Sequence, residues 1–353
     1  MKKFRVLCIF RRYPQVSHTY IKSELEALEA ECDFRIITME AATLPYKNHR
    51  PFEQVTDPAR LRAIIAEFQP HVLHSHWLIQ AEVLGPLARQ TGVPFTIRAH
   101  SFDSIWFERP RQLFGFLPLP GGNRVPPHLR SGAPFVNDEL CLGVLAFPFT
   151  RPMLEKAGVR GEKIVDSLPV VNYRAFHDRG PNGDGVMNVG ACIPKKQMRD
   201  FLELAARARG PAFNLYAMGH EAGKIGELNE QMSRPVNLIA PVEPEQMPRE
   251  HKKHRWLVYT ASRAMKTVGW PLSVAEAQAA GVGVLMPNIR PDLREYVGPC
   301  GFLYDSIAEA AEIISRPFPQ QLRQQAFEHA KKSDIWEHKI LLTRLWEKAA
   351  PRP

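Results

Sequence analysis

No apolar run in the 353 residues reaches the roughly 18 that a membrane-spanning helix needs. The opening MKKFRVLCIFRRYP carries too short an apolar core for a secretory signal. Cysteine is scarce: Cys8, Cys32, Cys141, Cys192 and Cys300 are odd in number, far apart and form no CxxC. That excludes a disulfide framework and argues against a zinc site, so a reduced, cytoplasmic location is expected. GxGxxG is also missing, which removes the main support for a dinucleotide-binding domain. Basic runs are short despite a formal charge of +9. The longest is His251-Lys252-Lys253-His254-Arg255, readable as a solvated helix end or as a membrane or acceptor contact. No nucleic-acid recognition motif accompanies it, so nucleic acid is not an expected partner.

The length suits two domains, each able to bury its own core. Thirty-one prolines imply many loops entering and leaving elements. Scattered positive charge of this size favours anionic ligands, phosphorylated small molecules among them. The pattern along the chain is apolar strand, loop, helix, repeated. Phe4–Phe10 reads as an interior parallel strand, broken by Arg11 and Arg12, with Ser17 or Thr19 capping the helix that follows. Basic residues between a strand and a capped helix suit anion binding, so Arg11, Arg12, Ser17 and His18 are candidates for the acceptor side. Residues 33–39 read as the next strand, 59–68 as a helix, 71–77 as a strand, 81–91 as a helix and 95–99 as a strand. His74 and His76 share one strand face. No third metal ligand is evident beside them, so no metal is expected. His100 stands at a strand's carboxyl end, where open α/β sheets bind ligands and where an imidazole can assist proton movement.

Residues 135–149 and 163–170 read as the last strands of a first sheet. Residues 105–132 mix Trp106, Phe107, Leu113, Phe114, Phe116 and Leu117 with Arg109, Arg111, Arg124 and Arg130. Such a loop can pack on its own domain or touch an acceptor or lipid headgroup. The polar stretch 177–185 reads as a linker. Beyond it the alternation resumes, with strands at 186–190, 214–219, 236–240 and 256–261. Residues 266–287, KTVGWPLSVAEAQAAGVGVLMP, read as a tight loop, an amphipathic helix stopped by Gly281, and a buried strand. A loop opening onto a helix N-terminus can hold a phosphate with backbone N–H groups, and Glu276 lies one turn inside. The chain closes with an amphipathic helix carrying Ile335, Ile340, Leu341, Leu345 and Trp346.

Several of these stretches resemble family 4 glycosyltransferases. WPLSVAEAQAAG is similar to FGLPxxEAxAxG, YPQVSHTYIKSELEAL to the YPxxSxTFIxxEIxAL opening of one branch, and His100 with Asp103 to part of TxHxxD. PVVNYRAF resembles NGVDxxxF, GFLYD resembles GFLV, and Gly190 to Lys196 resembles GRxxxxKG. The resemblance implies an α/β, GT-B fold: two Rossmann-like domains with parallel sheets facing a cleft, and a C-terminal helix crossing back onto the first. The boundaries expected are 1–176 for the acceptor domain, 177–185 for the linker, 186–331 for the donor domain and 332–353 for the returning helix.

The implied activity is that of a retaining, hexosyltransferase-like glycosyltransferase. It would move a sugar from a UDP-, GDP- or ADP-linked donor to a glycan, lipid-linked or small-molecule acceptor, in polysaccharide or glycoconjugate biosynthesis. No obligatory cofactor or metal is implied. His100 and Lys196 take the catalytic roles. Gly190, Lys196, Gly219, Lys266, Trp270, Pro271, Leu272, Ser273 and Glu276 take the donor. The location implied is cytoplasmic, with peripheral membrane contact as an option. The sequence departs from the pattern in three places that matter: Arg98 for Thr, Ala191 for the motif arginine, and Val268 for a glutamate. Arg263 and Lys266 are candidates to restore the charge missing at Ala191. The two donor-site departures also leave open a catalytically inactive sugar-nucleotide- or glycan-binding protein of the same fold.

Overall fold

The computed structural model describes residues 3–106, 111–113, 117–119, 125–208 and 210–349. The strands, in chain order, are β1 (Phe4–Arg12), β2 (Cys32–Glu40), β3 (Glu53–Gln54), β4 (Val72–His76), β5 (Phe95–Arg98), β6 (Arg111–Leu113), β7 (Leu117–Leu119), β8 (Cys141–Ala146) and β9 (Ile164–Asp166). They continue as β10 (Gly185–Ala191), β11 (Phe213–Met218), β12 (Asn237–Ile239), β13 (His254–Val258), β14 (Gly283–Pro287) and β15 (Phe302–Tyr304). Two parallel sheets result, ordered β3-β2-β1-β4-β5-β8-β9 and β12-β11-β10-β13-β14-β15, with β6 and β7 forming a small antiparallel pair. In each sheet the strand order reverses once, between β1 and β4 and between β10 and β13. Ligands of doubly wound sheets bind at the carboxyl ends beside such a reversal. The central strands β4 and β14 are buried at every residue, as parallel strands covered on both faces by helices must be.

The joint between the halves is built from specific contacts. The bridge pairing Val171 with Asp334 carries the chain back to the first half. The last helix, Ile335–Glu347, then packs on the first sheet's helix Thr19–Ala27, and buried Trp346 donates through Nε1 to Thr96 Oγ1 at 3.0 Å. Lys22 reaches Glu245 of the second half at 2.9 Å. Gly269 lies against Ser101 so closely that a Cβ would overlap the serine side chain. No helix among the described residues is long and apolar enough to cross a membrane.

Several elements differ from the sequence reading. Arg11 and Arg12 continue β1 instead of ending it, because Arg12 pairs in register with Glu40 of β2. The next helix is preceded by His18, which makes no side-chain cap, so neither Ser17 nor Thr19 is the N-cap. Residues 127–136 are helical; Pro127 sits in the first turn, where its missing N–H costs nothing, and β8 begins only at Cys141. The helix Leu272–Ala279 is buried from Ser273 to Ala279, not amphipathic, because neighbouring elements cover it on all sides. Ile340 of the last helix is exposed. The cluster at 251–255 is no solvated helix end: His251 and His254 are fully buried, and Lys252 donates to the carbonyls of Asp178 and Gly180. All five cysteines are buried free thiols. Of the 105–132 loop, Phe107, Arg109, Phe114, Phe116 and Arg124 lie outside the described residues. Trp106 packs on the first-sheet core and donates to Met153 O at 3.2 Å.

Candidate functional site

The carboxyl ends of the two sheets face a common cleft of about 300 Å3, with walls from both halves. On the second-sheet side the chain leaves β10 through Gly190, whose φ of +146° is open only to glycine. Lys196 folds back so that its ammonium occupies the space a Cβ on Gly190 would need. The lysine's own carbonyl accepts from Thr260 Oγ1 at 2.7 Å, and that of Lys195 accepts from Ser262 N–H at 2.9 Å. Both lysines line the cleft. Neither side chain has a carboxylate partner within ion-pair distance among the described residues. Burial, helped by Lys195 next door, lowers the Lys196 ammonium to about 8. Burial also lowers Lys195, with Asp103 across the cleft pulling the other way. Two partly buried cations side by side repel, and an anion bound between them relieves that.

Beside them runs the loop from Val268 to Pro271. Arg290 pins it, donating through Nη1 to the carbonyls of Lys266, at 2.7 Å, and Val268. Its Nε and Nη2 are held by Asp292 at 2.8 Å each. Trp270 stacks flat on Tyr296 at 5.0 Å and donates to Asp292 at 2.9 Å. The loop therefore arrives rigid at the helix Leu272–Ala279, whose first amides have no intrahelical acceptor. Glu276 is only 8% exposed and faces the cleft. Burial without a cationic neighbour raises its carboxyl to about 7. A buried carboxylate of this kind is an acceptor waiting for a donor, such as a ligand hydroxyl.

The opposite wall rests on a buried polar chain. Glu24 accepts from Arg98 Nε at 2.7 Å, and its other oxygen lies 2.9 Å from His74 Nε2 and 3.0 Å from His76 Nε2. His76 Nδ1 lies 3.0 Å from His100 Nε2. Burial alone would raise the Glu24 carboxyl, but Arg98 and the imidazoles outweigh it and hold it well below the carboxylate range. Burial drives His76 down to about 4 and His100 well below its ordinary value. His100 lines the cleft, and its backbone N–H donates to Asp103 Oδ1 at 2.9 Å. Asp103 Oδ2 takes the N–H of Leu78, so one buried carboxylate ties together the loops after β4 and β5.

Glu24 supplies the third potential metal ligand beside His74 and His76 that sequence inspection did not find. The ligand atoms lie within 4.8 Å of one another. A cation fits this set poorly, since both imidazoles already bond the same oxygen and the guanidinium of Arg98 neutralises the other.

The cleft gathers His100, Gly190, Lys196, Trp270, Pro271, Leu272, Ser273, Glu276 and Ser17 from the expected residues. Gly219, Lys266, Arg11, Arg12 and His18 do not line it. Gly219 instead packs its backbone against Ala191 and Cys192. Lys266 turns at a φ of +53° and contributes its carbonyl to Arg290. Arg11 and Arg12 both bond Glu40 at 2.8 Å, and His18 packs at a tilt behind Trp77. Arg263 is held by Tyr304 O at 2.9 Å and does not line the cleft, so the added charge beside Ala191 comes from Lys195. Sequence reasoning missed Lys195, Arg290, Glu24 and Trp77. Only Lys195, adjacent to a motif lysine, carried a visible signal.

Residues 5–130 match the family model described as Glycosyl transferase 4-like domain. No curated protein matches the chain in sequence. Among solved structures, HepE from Anabaena in complex with UDP and glucose superposes with a TM-score of 0.73 at 12% identity, over 98% of this chain and 100% of that one. Sucrose-phosphate synthase from Thermosynechococcus elongatus gives a TM-score of 0.74 at 13% identity, over 98% and 99%. WaaG, a glycosyltransferase involved in lipopolysaccharide biosynthesis, gives 0.63 at 13%, over 98% of each chain. At these identities the likeness is one of fold, and the chain has the GT-B fold.

Proposed function

We propose that the protein is a retaining glycosyltransferase that takes a hexose from a nucleoside-diphosphate sugar and passes it to an acceptor hydroxyl in the cleft. The observation that carries this reading is the pairing of two ammonium groups, Lys195 and Lys196, that have no carboxylate partner among the described residues, with the buried carboxyl of Glu276 on one wall. Two adjacent cations beside a pinned loop suit a diphosphate, and the carboxylate suits a ribose hydroxyl. UDP, bound by HepE, is one candidate nucleotide.

As the bond from the anomeric carbon to the diphosphate breaks, negative charge gathers on the leaving oxygens. Fixed ammonium groups and the amides of Leu272 and Ser273, held in place beforehand, stabilise that charge without reorganising. His100, neutral and locked by His76, contacts the sugar from the opposite wall. The acceptor enters from the first-sheet side and can be a glycan or a lipid-linked sugar. Polysaccharide or glycoconjugate assembly at the cytoplasmic face of a membrane is the setting this suits. The domains proposed are 1–176, 186–331 and the returning helix 332–353, joined by 177–185.

Val268 favours a second reading. It lines the cleft as an apolar side chain where an acidic group would meet the donor sugar, which suits a protein that binds nucleotide sugars without turning them over. Incubating the protein with UDP-, GDP- and ADP-sugars and assaying release of the nucleoside diphosphate separates the two. Release that Lys196→Ala abolishes supports the transferase; tight binding without release supports the silent partner.

A further inference from the structure

Trp77 follows β4 directly, with φ +73° and ψ 129°. That region is nearly closed to residues with a Cβ, and such strain concentrates at functional sites. The surroundings enforce it. The Trp77 N–H donates to Arg98 O at 2.8 Å, its carbonyl accepts from Gln80 N–H at 3.0 Å, and the next amide is held by Asp103. The strained turn puts the indole on the wall of the cleft, at the strand-order reversal of the first sheet and across from the lysines. The ring packs one side against the first-sheet core and keeps the rest on the cleft wall, and a glycine would make the same turn without strain but leave that wall bare.

The ring belongs to an aromatic surface. His18 lies 4.8 Å away, His100 5.6 Å and Tyr20 6.2 Å between centroids. Tyr20 in turn lies 4.4 Å from His100. The polar atoms beside it are neutral. Burial keeps His18 near 3 and His76 near 4, both uncharged at neutral pH. Arg98 is spent on Glu24, and Arg11 and Arg12 on Glu40. Ser17 and His100 line the cleft beside the indole, while His18 packs behind it. An aromatic face flanked by uncharged hydrogen-bonding groups matches a ring with an apolar C–H face and hydroxyls around its edge. It offers nothing to a phosphate.

We propose that Trp77 is the stacking platform of the acceptor subsite and that the acceptor presents an uncharged pyranose ring to it. This rests on the transferase reading above, and it goes further in naming the acceptor class and the side chain that selects it.

The probes are methyl glucoside, methyl galactoside and methyl mannoside, each as both anomers, observed by saturation-transfer NMR on the full chain. Binding of UDP, GDP and ADP by calorimetry is the control. At least one glycoside is expected to receive saturation from the wild type. Its affinity should fall tenfold or more in Trp77→Gly and less in Trp77→Phe, which keeps an aromatic face. Nucleotide affinity should stay within twofold of wild type in both variants. The proposal is overturned if no glycoside binds the wild type, or if both variants bind glycoside as the wild type does. It is also overturned if both variants lose nucleotide and glycoside together, since the ring would then serve the nucleotide. Failure of every nucleoside diphosphate to bind the wild type would count against the transferase reading, while the glycoside result would still decide the role of Trp77.

Discussion

His76 Nδ1 lies 3.0 Å from His100 Nε2, and the far nitrogen of His76 lies 3.0 Å from Glu24. Glu24 is ionised, so it must accept, and His76 must carry its proton on Nε2. Nδ1 of the neutral His76 is then a lone pair, and the proton shared with His100 sits on His100 Nε2. A carboxylate buried beneath the cleft thus fixes the tautomer of the imidazole that lines it.

Removing the charge of Glu24 leaves the Arg98 guanidinium buried without its partner. Glu24→Gln should cost about 3–5 kcal/mol of stability, the usual penalty for breaking a buried ion pair. Urea unfolding measures it. A loss below about 1 kcal/mol, the range of exposed pairs, would mean that water reaches the pair.

The buried imidazoles set an acid limit. His18 and His76 are lowered to about 3 and about 4, whereas an unfolded chain takes up these protons below about 6.5. The unfolded state therefore binds more protons than the fold across that interval. The stability these two imidazoles contribute should be complete above about pH 6.5 and be lost between about pH 6.5 and 4, while the carboxyls of Glu276 and Asp103, raised to about 7, act in the opposite sense over that interval. Glu24, whose folded value is depressed, adds its loss only at still lower pH. His18→Gln should therefore lose less stability than the wild type between pH 7 and pH 5 in urea unfolding, and equal losses in the two proteins would contradict this.

Lys195 and Arg263 make opposite predictions. Lys195→Ala removes a cation from the cleft wall and should weaken nucleoside-diphosphate binding about tenfold, the scale of one charge-assisted hydrogen bond. Arg263→Ala, whose side chain is tied to Tyr304 O, should leave it within about twofold. Calorimetry on both variants checks the assignment, and the reverse ranking would restore Arg263 as the replacement for the missing arginine.

Nucleotide affinity should also depend on pH in two directions. Glu276 must be ionised to accept a ribose hydroxyl, so affinity rises as pH passes about 7. Lys196 must be protonated to hold phosphate, so affinity falls as pH passes about 8. The optimum lies between them, and Glu276→Gln should flatten the lower limb alone. A profile unchanged by that substitution would remove Glu276 from the ribose site.

The sequence made the strand–helix alternation legible because parallel strands buried on both faces leave apolar runs, as in FRVLCIF and HVLHSH. It also exposed the Gly190–Lys196 and Trp270–Glu276 segments, where the ligand-facing chemistry lies within a few consecutive residues. What stayed hidden depends on residues far apart in the chain. Glu24 meets His76 and Arg98 only after three strands assemble, and Arg290 pins Val268 from beyond β14. Arg11 and Arg12 looked like an anion loop because nothing local announces Glu40 as their partner. The positive φ of Trp77 leaves no trace in composition, since a glycine is the residue that would have signalled it.

The central claim is catalysis at the Lys196 and Glu276 wall. The most direct test is a time course of nucleoside-diphosphate release from UDP-, GDP- and ADP-sugars, with and without the methyl glycosides, for the wild type and Lys196→Ala. The account predicts release from at least one donor, faster with an acceptor and lost in the variant. A wild type that binds a nucleotide sugar tightly and releases no diphosphate with any acceptor would contradict it.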